Sequence, residues 1–109
     1  MATQVTLIGG IRLPEGANLT HPLVRLEVST TELRLVPRGL LRSVFRGGWE
    51  LRKAEIALIR PTFSDFALYR GVEIVGRDHR VWTFWHTSPS WVLDTLESLG
   101  YPIRRTYLP

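Results

Sequence analysis

A two-residue period in hydrophobicity narrows the fold of this chain more than any other feature. In "LVRLEVS", residues 23–29, Val24, Leu26 and Val28 fall on one side and Leu23, Arg25, Glu27 and Ser29 on the other. Successive side chains of an extended strand leave opposite faces, so this pattern predicts a strand with one buried face. "ELRLVPR", residues 32–38, repeats it with Leu33 and Leu35 against Arg34 and Val36. The link between them, "STTE" at 29–32, has the length of a hairpin turn.

Further strands follow from the same signal. "WEL" (49–51) and "IALIRPTF" (56–63) are two of them, and Pro61 places the second at a sheet edge, because proline cannot donate to a ladder. "ALYRGVEIVG" (67–76) is another, with Gly71 as an expected bulge. "GRDH" is a turn and "VWTFWHT" (81–87) the final strand. "QVTLIGG" near the N-terminus adds a short strand, and "RLPEGANLTHP" (12–22) is loop by composition.

One segment is helical. Ser88 is an N-cap residue, Pro89 suits the first helical position, and Gly100 followed by Pro102 stops the helix. At 100° per residue Val92, Leu96 and Leu99 share a face with Leu93 at its edge, while Asp94, Glu97 and Ser98 face water. The expected fold is α+β and mainly β: a bent antiparallel sheet or partly open barrel of six to seven strands, capped by one C-terminal helix. At 109 residues this is a single domain, with residues 1–20 as a short strand plus loop and 102–109 as a tail.

In this order, "HPLVRLEVSTTELRLVPR" (21–38), "WELRKAEIALIRP" (49–61) and "VWTFWHTSPSWVLDTLESLGY" (81–101) resemble the pleckstrin-homology superfold, in particular its bacterial members related to GRAM domains. They resemble its opening hairpin, its strand–"xxEI" turn–strand, and its last strand with capping helix, and cover about half of the chain. The resemblance implies a small binding or scaffolding module. Phosphoinositide-binding members carry a basic cluster in the turn of the first hairpin. Here that turn is "STTE", with no base and one acid, so their inositol-phosphate pocket is not carried over.

Composition removes several functions. With no cysteine there is no disulfide, thiolate nucleophile or cysteine metal site. His21, His79 and His86 show no metal-ligand spacing, so neither a metal nor another cofactor is expected. Ser88 and Ser90 lie near His86, but no G-x-S-x-G elbow surrounds either, and an enzyme is not expected. "MATQVTLIGG" lacks the layout of a signal peptide, which places the chain in the cytoplasm, at most peripheral to a membrane.

Two surfaces remain as candidates. The stretch 80–100 holds three of the four tryptophans. Trp82, Phe84 and His86 share one strand face and Val81, Thr83 and Trp85 the other, which buries Trp82 and Phe84 and leaves Trp85 partly exposed. Trp91 lies at the rim of the helical stripe. Trp85 and Trp91 either pack against each other or a loop, or form with His86 a patch for protein contact.

The second candidate is "PRGLLRSVFRGGW" (37–49). Arg38, Arg42 and Arg46 recur every four residues beside Leu41, Val44 and Phe45. Either this loop tucks Leu41 and Phe45 into the core, or its arginines and Phe45 probe an anionic membrane surface. Arg104 and Arg105 add charge to the tail without evident geometry.

The net charge of +4, carried by thirteen arginines and Lys53, admits anionic partners but equally reflects a GC-rich genome. Nucleic acid is disfavoured by the acidic helix face and the lack of a recognition motif. The function read from the sequence is a non-enzymatic binding or scaffolding module, acting by protein–protein contact or self-association. Weak peripheral binding to anionic lipid headgroups is the alternative, and nucleic-acid binding a second one.

Overall fold

The computed structural model describes residues 4–39, 41–44, 48–63 and 70–105, with backbone alone for 41, 44 and 63. Seven strands run β1 (Val5–Arg12), β2 (Asn18–Val28), β3 (Glu32–Pro37), β4 (Trp49–Arg52), β5 (Ile56–Phe63), β6 (Arg70–Gly76) and β7 (Val81–Trp85). A one-turn helix α1 (Leu41–Val44) follows β3, a 3-10 turn (Lys53–Glu55) joins β4 to β5, and helix α2 (Pro89–Ser98) follows β7. All seven strands form one antiparallel sheet in the order β4-β3-β2-β1-β7-β6-β5. The sheet is open, since β4 and β5 end it without pairing to each other.

It is also strongly bent. The ring of Trp49 on β4 lies 6.2 Å from that of Trp82 on β7, four strands away along the sheet. The hinge is β1, which pairs with β2 along most of its length and with β7 at its C-terminal end. The register to β2 slips between Gly9 and Ile11. A Cβ on Gly9 would strike the Trp85 carbonyl and the Phe84 ring; one on Gly10 would strike the Leu19 carbonyl and the His21 backbone. Only glycine lets β2 and β7 come so close on both sides of one strand.

The inward faces of the strands close on one core. Leu7, Ile11, Leu26, Leu35, Ile59, Ile74 and Phe84 are buried in it, and α2 adds Val92, Leu93 and Leu96. The stripe of α2 is therefore centred nearer Leu93 than the sequence pattern implies, and Leu99 is only half-buried. The outer face of β2, β3 and β4 carries charge: Arg25 pairs with Glu27 at 2.8 Å, and Arg34 lies 3.9 Å from Glu27 and 3.5 Å from Glu50.

Gly100, at φ +87°, ends α2 as expected. The amide of Gly100 donates to the Glu97 carbonyl and that of Tyr101 to Leu96, the two bonds of a Schellman closure. Tyr101 is 3% exposed, and its hydroxyl donates to the Ser29 carbonyl at 2.8 Å. Lys53 Nζ donates to the Leu99 carbonyl at 2.6 Å and lies 4.7 Å from the centre of the Tyr101 ring. A cation there complements the negative end of the helix. These contacts lock α2 to the β2–β3 turn and to the 3-10 turn.

Several expectations need correction. Residues 18–22 are strand, not loop, because Asn18 and Leu19 pair with Arg12 and Ile11 beyond the register slip. Gly71 is not a bulge: it sits in register opposite Thr62 and Trp85, and its missing Cβ makes room for the Phe84 carbonyl. The slips fall at Gly9/Ile11 and Ile56/Leu58 instead. The last strand ends at Trp85 rather than Thr87. Pro61 does mark an edge strand, but β5 is not bare there. The Ile59 amide donates to Pro102 and the Arg104 amide to Ile59. Residues 67–69 of the expected sixth strand lie outside the described residues.

Candidate functional site

Trp82 and Phe84 are buried as the strand pattern requires, at 8% and 0% exposure. Trp85, on the opposite face, is half-buried, and its indole N–H donates to Asn18 Oδ1 at 2.7 Å. Trp85 is thus tied to the start of β2.

His86 takes a different role. Its ring lies 6.0 Å from that of Phe84, stacked at 28°, and 5.7 Å from that of Trp91. Its backbone amide donates to the Arg70 carbonyl, and its Nδ1 accepts the Ser88 amide at 2.9 Å. Ser88 occupies the expected N-cap position, yet its side chain makes no capping bond. The imidazole ties the first turn of α2 to the end of β7, and it can accept the amide only while Nδ1 is unprotonated. Burial pushes the pKa of His86 down, and the positive charge of nearby His21 adds to that.

The outcome is a row of rings from the core to solvent: Phe84 inside, His86 between, Trp91 outside. Trp91 is 51% exposed, the exposed large hydrophobic residue of the described part of the chain. His86 also lies near His21, in the stretch of β2 that the register slip leaves unpaired. Arg38, just past β3, reaches this bulge: its amide donates to Leu23 and its Nη1 to the Pro22 carbonyl at 2.9 Å.

Trp91 and His86 are brought together by their ring contact, whereas Trp85 lies on the opposite face of β7 from Phe84 and Arg38 contacts the Leu23 and Pro22 carbonyls. Arg42 is solvent-exposed on the single helical turn α1, and Arg38 precedes that turn. Phe45 and Arg46 lie outside the described residues. His21 entered the sequence reading only as a non-ligand, since nothing local announces a displaced strand segment. Tyr101 had a readable signal, a bulky residue directly after a helix-stopping glycine, which is where a Schellman closure places its apolar contact. Arg105 was taken for bare tail charge, yet its guanidinium lies 2.6 Å from Asp94 and 3.0 Å from Glu97.

No group of three His, Cys, Asp or Glu side chains suited to a metal ion occurs among the described residues. Asp94 and Glu97, the carboxylates on the exposed face of α2, both accept from the Arg105 guanidinium. Beside the N-terminal turn of α2 is an open cavity of about 370 Å³, lined by Pro61, Thr62, Arg70, Pro89, Ser90 and Leu93, with Arg105 at its rim. Among the described residues no helix is long and apolar enough to cross a membrane. Comparison with protein-family models, with curated proteins and with solved structures finds no match to this chain.

Proposed function

We propose that the chain is a non-enzymatic, pleckstrin-homology-like binding module of the cytoplasm, working through protein–protein contact or self-association at the surface formed by His86 and Trp91. The bent seven-strand antiparallel sheet with one C-terminal helix supports the fold-type reading. The observation that carries the functional reading is the exposure of Trp91 at 51% on a stack of rings rooted in the core. Tryptophan is enriched where interfaces are strongest, and a side chain already fixed in place loses little entropy on binding.

Light scattering over a concentration series, at low and high salt, tests this with Trp91→Ala as the comparison. A salt-resistant dimer or larger species that dissolves in the variant supports self-association. A strict monomer eliminates self-association and leaves contact with a different protein. Association unchanged in the variant moves the interface away from Trp91. Weak binding to anionic lipid through Arg38 and Arg42 is the competing reading, favoured by the exposure of Arg42. Cosedimentation with phosphatidylserine vesicles that falls with salt and is lost in Arg38→Ser/Arg42→Ser establishes that reading instead.

A further inference from the structure

The sheet has two edges, and the chain treats them differently. At the β5 edge the tail pairs with Ile59, whose amide donates to Pro102 and whose carbonyl accepts from Arg104, and Pro61 has no N–H to offer. β4 ends the sheet on the other side. The Lys53 amide donates to the Thr31 carbonyl, and the register sets Leu33 opposite Leu51 and Leu35 opposite Trp49. Hydrogen-bonded pairs alternate along an antiparallel ladder, so Trp49 and Leu51 turn their backbone groups to β3 while Glu50 and Arg52 turn theirs outward. Among the described residues no backbone partner meets those outward groups. The Glu50 and Arg52 side chains are exposed on the outer face of the sheet, whereas Trp49 and Leu51 are half-buried against the core.

We propose that the open β4 edge pairs with the β4 edge of a second copy of this chain, antiparallel and in register about Leu51. A two-fold axis then sets Glu50 of each copy opposite Arg52 of the other, and Leu51 opposite Leu51. The backbone fits this register, because Glu50 and Arg52 are the outward residues and each such pair exchanges both of its ladder bonds. Charge selects it. Glu27, Arg34 and Glu50 form an alternating row across β2, β3 and β4, with Arg34 3.9 Å from Glu27 and 3.5 Å from Glu50. Arg52 of the second copy, with Glu32 opposite it on β3, continues that alternation without a break. Sliding the strands to the next register either way sets Glu50 against Glu50 or Arg52 against Arg52, and a parallel pairing does both. An edge guarded by charges of one sign repels its own copy, whereas this one complements it in a single register. On the inner face the two Leu51 side chains meet at the closer spacing of a non-hydrogen-bonded pair. The proposal gives self-association a surface that does not use Trp91, and it stands independently of the His86–Trp91 reading.

The test is sedimentation equilibrium at low salt over a concentration series, with the parent protein, Glu50→Arg, Arg52→Glu and an equimolar mixture of the two variants. The parent is expected to dimerise. Either variant alone sets like charges against each other at both pairs and should dimerise about thirtyfold more weakly. The mixture restores opposite charges at both pairs and should regain the association of the parent, which separates a lost interface from a lost fold. A parent that stays monomeric at millimolar concentration overturns the proposal. So do single variants that dimerise as well as the parent, or a mixture that does not recover. Amide hydrogen exchange gives a second reading: the Glu50 and Arg52 amides should slow as protein concentration rises. Unchanged exchange there in a parent that dimerises also overturns the proposal. If dimerisation is lost in Trp91→Ala but kept in both β4 variants, the Trp91 reading stands and this one falls. The reverse result makes the β4 edge the interface between copies and leaves Trp91 for contact with a different protein.

Discussion

Replacing Tyr101 by Phe removes one oxygen and tests how the helix is held to the sheet. The phenol is buried, and its hydroxyl donates to the Ser29 carbonyl at 2.8 Å across 72 residues of chain. Phenylalanine keeps the ring under Lys53 and the Schellman closure, so the change isolates the hydrogen bond. Ser29 is itself buried, and leaving its carbonyl without the donor costs about 1–3 kcal/mol. For a domain of this size, 2 kcal/mol corresponds to a fall in Tm of about 8 °C. The same burial shows in the titration of Tyr101, whose pKa is pushed up to about 12 by desolvation, joined by the charge of Glu32. A folded pKa above the unfolded value of about 10 means that this stability is complete below pH 10. It is lost as pH rises from 10 to 12, in an amount of about 2–3 kcal/mol. Thermal unfolding by circular dichroism at pH 7, with urea unfolding between pH 9 and 12, measures both. The ultraviolet difference titration between the protein and Tyr101→Phe isolates this phenol from Tyr69 and Tyr107. A variant within a degree of the parent Tm, or a Tyr101 that ionises near pH 10, refutes the reasoning.

Other perturbations follow from the same geometry. Gly10→Ala forces a methyl into the Leu19 carbonyl and the His21 backbone; the expected loss is about 3 kcal/mol or more in urea unfolding, and a loss below about 1 kcal/mol would show that the β1 corner is not tight. Because the pKa of His86 is depressed, the unfolded chain takes up more protons than the folded one as pH falls below about 6.5. Stability should therefore decline from neutral pH towards acid, and His86→Gln, whose amide oxygen can accept the Ser88 N–H, should flatten that decline; equal pH profiles in urea unfolding would contradict this. Trp91→Ala should lower stability by no more than about 2–3 kcal/mol, since about half of the residue is already in water and its ring packs beside His86. A larger loss by calorimetry would make Trp91 a structural residue rather than a binding one.

Much of the sheet was legible because strand alternation is a local signal. Val24, Leu26 and Val28 against Arg25 and Glu27, or Trp82 and Phe84 against Trp85, need no knowledge of their partners to be sorted into faces. The helix was legible for a similar reason: Pro89 and Gly100 bracket it by their own backbone preferences, and both ends fall within two residues of those marks. What failed were positions whose conformation is set from far away. Residues 18–22 carry the composition of a loop, yet the hydrogen bonds offered by Arg12 and Ile11 hold their first residues in a strand. Gly71 looks like a bulge because glycine is unusual in a strand, but its reason is the approach of the Phe84 backbone on the neighbouring strand. Arg105 found Asp94 and Glu97 only because the tail turns back along β5.

The candidate site divides the same way. The sequence by itself determined which residues are available: an indole at the rim of a helix, a histidine one step beyond a buried phenylalanine, and arginines clustered after a strand. Alternation and helical period are properties of consecutive residues, so these assignments required no partner. Only the tertiary structure decided that Trp91 stacks on His86 while Trp85 turns to Asn18, and that Arg38 reaches the displaced His21–Pro22 segment. Those choices depend on the bend at Gly9 and Gly10, where one strand passes between two others and sets which distant segments share a corner. No local preference encodes that meeting, because its free energy lies in contacts such as that of Gly10 with Trp85, far apart in the chain.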